Sequence, residues 1–158
     1  MPISISGRRI LAALALAQSL AGCSAAAPSR GEEPPNGAGA PGETFQDFLD
    51  ALQVRRADVE LAGTVAQPAL GGEGARVIMN GEPLQVFEYA SREEARGASA
   101  EISPDGALVG ETAMGWTDPP HWFQHGRLLV LYLGGEKQAL MLLQDILGHQ
   151  IAGANSLP

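Results

Sequence analysis

The chain has 158 residues, 45% of them hydrophobic, with 10 basic and 18 acidic side chains, a formal charge of −8 and a single cysteine. That length holds one domain of ordinary size rather than two. The acidity excludes a protein built to neutralise nucleic-acid phosphates, since the basic residues occur singly apart from Arg8-Arg9 and Arg55-Arg56. One cysteine leaves no partner for an internal disulfide and no sulfur cluster for a metal.

Arg8 and Arg9 introduce an apolar run from Ile10 to Leu20, after which small residues lead to the cysteine. The run is too short to span a bilayer and has the layout of a secretory signal. Leu20-Ala21-Gly22-Cys23 resembles the lipobox of bacterial lipoproteins. The resemblance implies cleavage of residues 1–22 as a signal peptide, followed by acylation of Cys23, with palmitate among the expected chains. Two or more acyl chains hold a protein stably on a bilayer where one does not. The expected location is the cell envelope, outside the cytoplasm. No Asp follows Cys23, since Ser24 and Ala25 come next, which favours the outer membrane in a cell with two membranes. Twin-arginine export fits less well, because Gly7 stands where that signal usually has Ser or Thr. Loss of Arg8 and Arg9 leaves 8 basic against 18 acidic residues, a charge of −10.

Residues 23–42 are Ala, Ser, Pro and Gly with Glu32 and Glu33, lacking any apolar period, and read as a disordered tether. A flexible chain of about 20 residues spans roughly 25 Å, enough to lift a domain clear of lipid head groups. The folded domain is expected over residues 43–158. Thr44 caps a helix with Asp47 three residues on, and Phe45, Phe48, Leu49 and Leu52 form its apolar stripe up to Arg55-Arg56. Val59, Leu61, Gly63 and Val65 alternate with Glu60, Ala62 and Thr64, which predicts a half-buried strand with the first set inward.

After a loop from Gln67 to Gly74, the segments Ala75 to Met79 and Leu84 to Tyr89 flank Asn80-Gly81, a hairpin signature. Ser91-Arg92-Glu93-Glu94 matches a capping box and opens a helix with Ala95, Ala98 or Ser99, and Ile102 inward. Ser103-Pro104-Asp105-Gly106 is a turn leading to a strand over Leu108 to Thr117, interrupted by Pro119-Pro120 and resumed by His121 to Gln124. Around a turn at His125-Gly126, the near-continuous apolar run from Leu128 to Leu133 suits a central strand. Leu140, Leu143, Ile146 and Leu147 then share one helix face, ended by Gly148. Short links favour antiparallel pairing. The expected fold is an α+β two-layer sandwich, a mostly antiparallel sheet of about five strands with three helices gathered mostly on one face.

Asn80-Gly81 before Gln85-Val86-Phe87-Glu88-Tyr89, then Ser103-Pro104-Asp105-Gly106, Pro119-Pro120-His121 and Gly126-Arg127-Leu128 with Val130-Leu131-Tyr132, resemble a group of uncharacterised bacterial lipoproteins. The resemblance covers most of the domain and implies fold and address alone, carrying no reaction, ligand or site residue.

Potential metal ligands gather in Asp118 to His125. His121 and His125 have a zinc-binding helical spacing, but the double proline favours extended chain, in which four residues span roughly 13 Å. That is too far for one metal with bonds near 2 Å. Ser91 and Ser103 are explained by a cap and a turn, no Gly-x-Ser-x-Gly elbow occurs, and Gly71-Gly72-Glu73-Gly74 lacks a Walker lysine. The carboxylate pairs Glu93-Glu94 and Asp58 with Glu60 read as solvated charge.

Trp116, His121, Trp122, Phe123 and Tyr132 fall close together, and core packing competes with a binding groove edged by Trp116, His121 and Trp122. The function these residues favour is a non-catalytic, membrane-anchored binding or accessory module without cofactor. Its partners are the bilayer, through acylated Cys23, and an envelope protein, with nucleic acid excluded. The alternatives are a metal-dependent enzyme using Asp118, His121 and His125, or a carrier of an apolar ligand beneath Trp116 and Trp122.

Overall fold

A computed structural model describes residues 43–154. The signal over 1–22, Cys23 and the tether over 23–42 lie outside the described residues, as do residues 155–158.

Helix α1 covers Phe45–Val54. Thr44 and Asp47 cap it reciprocally: the Thr44 hydroxyl accepts from the Asp47 amide at 3.2 Å, and the Asp47 carboxylate accepts from the Thr44 amide at 3.2 Å. Its apolar stripe, Phe48, Leu49 and Leu52, is buried as the spacing predicts. The chain continues into strand β1 (Val59–Gln67), a single 3-10 turn at Pro68–Leu70, β2 (Gly72–Met79) and β3 (Glu82–Glu88). Asn80 (φ 53) and Gly81 (φ 86) make the β2–β3 turn, both in the left-handed region that a type I′ hairpin requires.

Helix α2 (Arg92–Ala100) follows its Ser91 cap. Only half of the expected capping box forms, because the Glu94 carboxylate reaches back to the Ala90 amide rather than to that of Ser91. Ala95 and Ile102 are buried on its inner side. The expected strand from Leu108 to Thr117 is instead a minimal hairpin of β4 (Leu108–Val109) and β5 (Thr112–Ala113) followed by irregular chain. Gly110 and Gly115, both with positive φ, bend it out of extended form.

Strands β6 (Pro120–His125) and β7 (Leu128–Leu133) come next, then α3 (Lys137–Leu147) and β8 (Gln150–Gly153). The sheet order is β1-β2-β3-β7-β6-β8, and every pairing is antiparallel. The fold is therefore α+β, with six strands where about five were expected. The sixth, β8, has too few residues to show a period of its own and is recruited by the open edge of β6.

The helices were expected mostly on one face, with the other partly exposed or occupied by the first helix; instead the sheet is covered on both sides, and the all-apolar β7 is buried between them. Helices α1 and α3 lie on one face, where Val77, Met79, Leu84, Val86, Phe123, Leu128, Val130 and Tyr132 meet them. On the other, Phe87, Trp122, Leu129, Leu131 and Ala152 pack against Leu70, Ile102, Val109 and the loop carrying Met114 and Trp116. Helix α2 lies on this second face through Ala98.

Strand β1 departs most from its sequence pattern. The register with β2 slips between Leu61 and Thr64, a bulge that Gly63 accommodates at φ 93. One extra residue reverses the alternation. Val59 therefore packs toward the α1/α3 face and Val65 toward the opposite one; Leu61, expected inward, lies ahead of the bulge in phase with Val59 and is nonetheless 60% exposed at the sheet edge.

Candidate functional site

The aromatic residues that the sequence gathers into one group are divided by the sheet. His121 and Trp122 are consecutive in an extended strand, so they point to opposite faces. His121 faces α3 with Phe123 and Tyr132; Trp122 faces α2 with Trp116. Trp122 is fully buried and His121 is 3% exposed, while Trp116 is half-buried against Trp122. Of the two placements weighed for Trp116, His121 and Trp122, core or groove edge, His121 and Trp122 take the interior, on different sides of the sheet, so the three do not edge a common groove.

The indole site is built on the Ser103-Pro104-Asp105-Gly106 turn. Ser103 donates its hydroxyl to the Asp105 carboxylate at 2.5 Å, and that carboxylate also accepts from the Ala107 amide at 3.1 Å. These bonds hold the Asp105 carboxyl below its usual range. The turn presents the Gly106 carbonyl to both tryptophans, accepting from Trp116 Nε1 at 2.9 Å and Trp122 Nε1 at 3.2 Å. The two rings meet edge to face with centroids 6.1 Å apart. Gly106 has φ 72, and a Cβ there would stand 2.9 Å from both Trp122 Cδ1 and the Gly153 Cα. The space beneath the tryptophans, where an apolar ligand was considered, is occupied by this backbone.

On the other face His121 stacks on Tyr132, its direct cross-strand partner, with centroids 5.9 Å apart. His121 Nδ1 lies 2.8 Å from Gln150 Oε1, while Gln150 Nε2 donates to the carbonyls of Ala152 and Ala154. Both amide protons are thereby used, so the Gln150 carbonyl oxygen faces the ring and accepts from Nδ1. Tyr132 donates its hydroxyl to Glu82 at 2.8 Å and accepts from the Glu136 amide at 3.0 Å. Burial above all, reinforced by the Glu82 carboxylate, pushes the Tyr132 phenol up to about 12. Among the described residues every buried side-chain nitrogen and oxygen has a partner.

His121 and His125 sit at positions two and six of one extended strand, and Asp118 bonds its neighbour Thr117. The three do not converge. Among the described residues no group of three or more His, Cys, Asp or Glu side chains is placed to hold a metal ion.

Glu43 contributes a contact with no sequence signal. It is 7% exposed, with Oε2 accepting from Arg92 Nε at 2.9 Å and Oε1 paired with Arg92 Nη2, while its carbonyl accepts from the Arg127 amide at 3.2 Å. The first described residue is thus fastened to α2 and to the β6–β7 turn. Arg92 and Arg127 read in the sequence as scattered single arginines, and only tertiary proximity to Glu43 distinguishes them.

An open depression of about 490 Å³ is lined by Gln67 at the end of β1, Pro68 and Ala69 of the 3-10 turn, Thr112 and Ala113 of β5, and Met114 just after it. Among the described residues, no helix is long and apolar enough to cross a membrane. No family model, curated protein or solved structure matches the chain.

Proposed function

We propose that the protein is a lipid-anchored module of the bacterial cell envelope that engages a protein partner at the membrane surface and performs no chemistry of its own. The observation that carries this reading is the seating of Glu43. Glu43 directly follows the Ala/Pro/Gly-rich segment of the sequence, and it is fixed through both carboxylate oxygens and its carbonyl. Such a junction suits a domain displayed on a tether in a defined attitude. The internal commitment of Trp122 to the Gly106 carbonyl, of His121 to Gln150 and of Tyr132 to Glu82 supports binding over catalysis, since it leaves strand edges and loops as the accessible features.

Labelling cells with a palmitate analogue and fractionating their membranes tests the anchor. The wild-type chain should carry label and sediment with membranes, whereas Cys23→Ala should be unlabelled and soluble. Wild-type protein without lipid, together with a membrane-bound Cys23→Ala, overturns the reading. Elemental analysis of protein purified without a histidine tag tests the second half: one equivalent of metal, lost on changing Asp118 or His125, establishes the enzyme alternative instead.

A further inference from the structure

Strand β1 is an edge strand bonded to β2 alone, and from Glu60 to Thr64 every residue is exposed. Long open edges are usually blunted by lysine, proline or a covering loop, because their unpaired amides and carbonyls invite another strand. Strand β1 carries no lysine or proline; its one interruption is the Gly63 bulge, beyond which Thr64 to Gln67 run in regular register with Ala75 to Gly72. In this half, Val65 and Gln67 point to the α2 face, and Gln67 lines the depression shared with Thr112, Ala113 and Met114. An extended segment laid along Thr64 to Gln67 would place its alternate side chains beside Val65 and into that depression. Backbone pairing and side-chain pockets are the two components of recognition by strand addition.

Charge selects the occupant. Glu60 lies on β1, Glu73 opposite Ala66 on β2 and Glu111 in the β4–β5 turn, and no basic residue occurs over 57–75 or 107–118; Arg76 is the single cation on β2. Residues 43–154 contain 16 acidic and 7 basic side chains, and Arg55, Arg92 and Arg127 are already paired with Asp145, Glu43 and Glu88. A second copy would bring the same negative field to its own edge, whereas a basic segment is attracted. We infer that β1 receives, by strand addition over Thr64 to Gln67, an extended segment of a partner protein that alternates small apolar side chains and is flanked by lysine or arginine. This rests on the binding-module reading and specifies its surface and its partner's chemistry.

The test uses the mature, lipidated chain in detergent and a fluorescent ten-residue peptide alternating valine and threonine, with two lysines at each end. Anisotropy should show saturable binding, weaker by about tenfold or more for a peptide with glutamates replacing the lysines. Binding should vanish when alternate peptide amides are N-methylated, which removes the ladder donors and keeps the charge. Amide exchange should slow at Thr64 to Gln67 when the peptide is added, and Glu73→Lys should weaken binding with the melting temperature unchanged. Equal binding of the N-methylated peptide, or protection confined to another surface, overturns strand addition. Protection of Thr64 to Gln67 before any peptide is added, with a dimer in sedimentation, makes a second copy the occupant and overturns the basic partner. If no peptide binds while Cys23 remains acylated and the domain crosslinks to an envelope protein through another surface, this inference fails and the binding-module reading stands.

Discussion

The two faces of the sheet are covered by different means. Helices α1 and α3 close one with repeating leucines and phenylalanine, so its coverage comes from apolar area, which is non-directional and spread over many side chains. The other is closed by α2, by a hairpin of two-residue strands and by irregular chain, and here a single carbonyl, that of Gly106, receives two indole N–H groups. A face closed by helices tolerates graded change. A face closed by loops depends on a few positions whose geometry has no substitute, because the irregular backbone must be fixed by specific bonds and close approaches.

The largest expected effect falls on the loop-covered face. Trp122→Ala empties a fully buried site beneath α2 and should cost about 3–5 kcal/mol in denaturant unfolding. Leu143→Ala, at the centre of the helix-covered face, should cost about 2–5 kcal/mol by the same cavity argument.

The comparison is sharpest at Gly106→Ala, which adds one methyl group. Left-handed strain of about 1–2 kcal/mol should combine with about 1–3 kcal/mol of overpacking against Trp122 and Gly153. Its melting temperature should fall and its tryptophan emission should shift. If Gly106→Ala melts like the wild type, the second face is as forgiving as the first and the distinction fails.

The smallest effect belongs to a directional bond on the helix-covered face. Tyr132→Phe keeps the ring but deprives Glu82 and the Glu136 amide of their partner, at about 1–2 kcal/mol near neutral pH. The phenol has its pKa raised from 10.0 to about 12, so the folded state favours the protonated form. That contribution is complete below pH 10 and is lost as pH rises from about 10 towards 12. Wild type should therefore lose stability more steeply than Tyr132→Phe in this window; parallel curves would remove Tyr132 from the account.

How much was legible follows the same division. The helices over Phe45–Val54 and Lys137–Leu147, the Asn80-Gly81 hairpin and the central apolar strand were written in local periods and caps. The strand expected over Leu108 to Thr117 is not formed, since Leu108, Val109, Ala113, Met114 and Trp116, split by two glycines, have no period strong enough to separate a strand from a loop packed on tryptophan. Strand β1 misled through a correct alternation whose phase a bulge reversed. Core packing of the aromatic group holds for His121, Trp122, Phe123 and Tyr132, but the shared groove weighed against it does not form, because His121 and Trp122, adjacent in a strand, must part to opposite faces.

By itself the sequence determined the α+β class, the antiparallel pairing, the caps and the residues available to the core, because each depends on contacts within a few positions along the chain. Only the tertiary structure decided which face each aromatic ring would fill, that Gly106 would serve two indoles, that Glu43 would be held by Arg92, and that β1 would stand at an open edge. Each of these joins residues far apart in the chain, where neither propensity nor period acts, and their geometry exists only once the sheet has fixed its register.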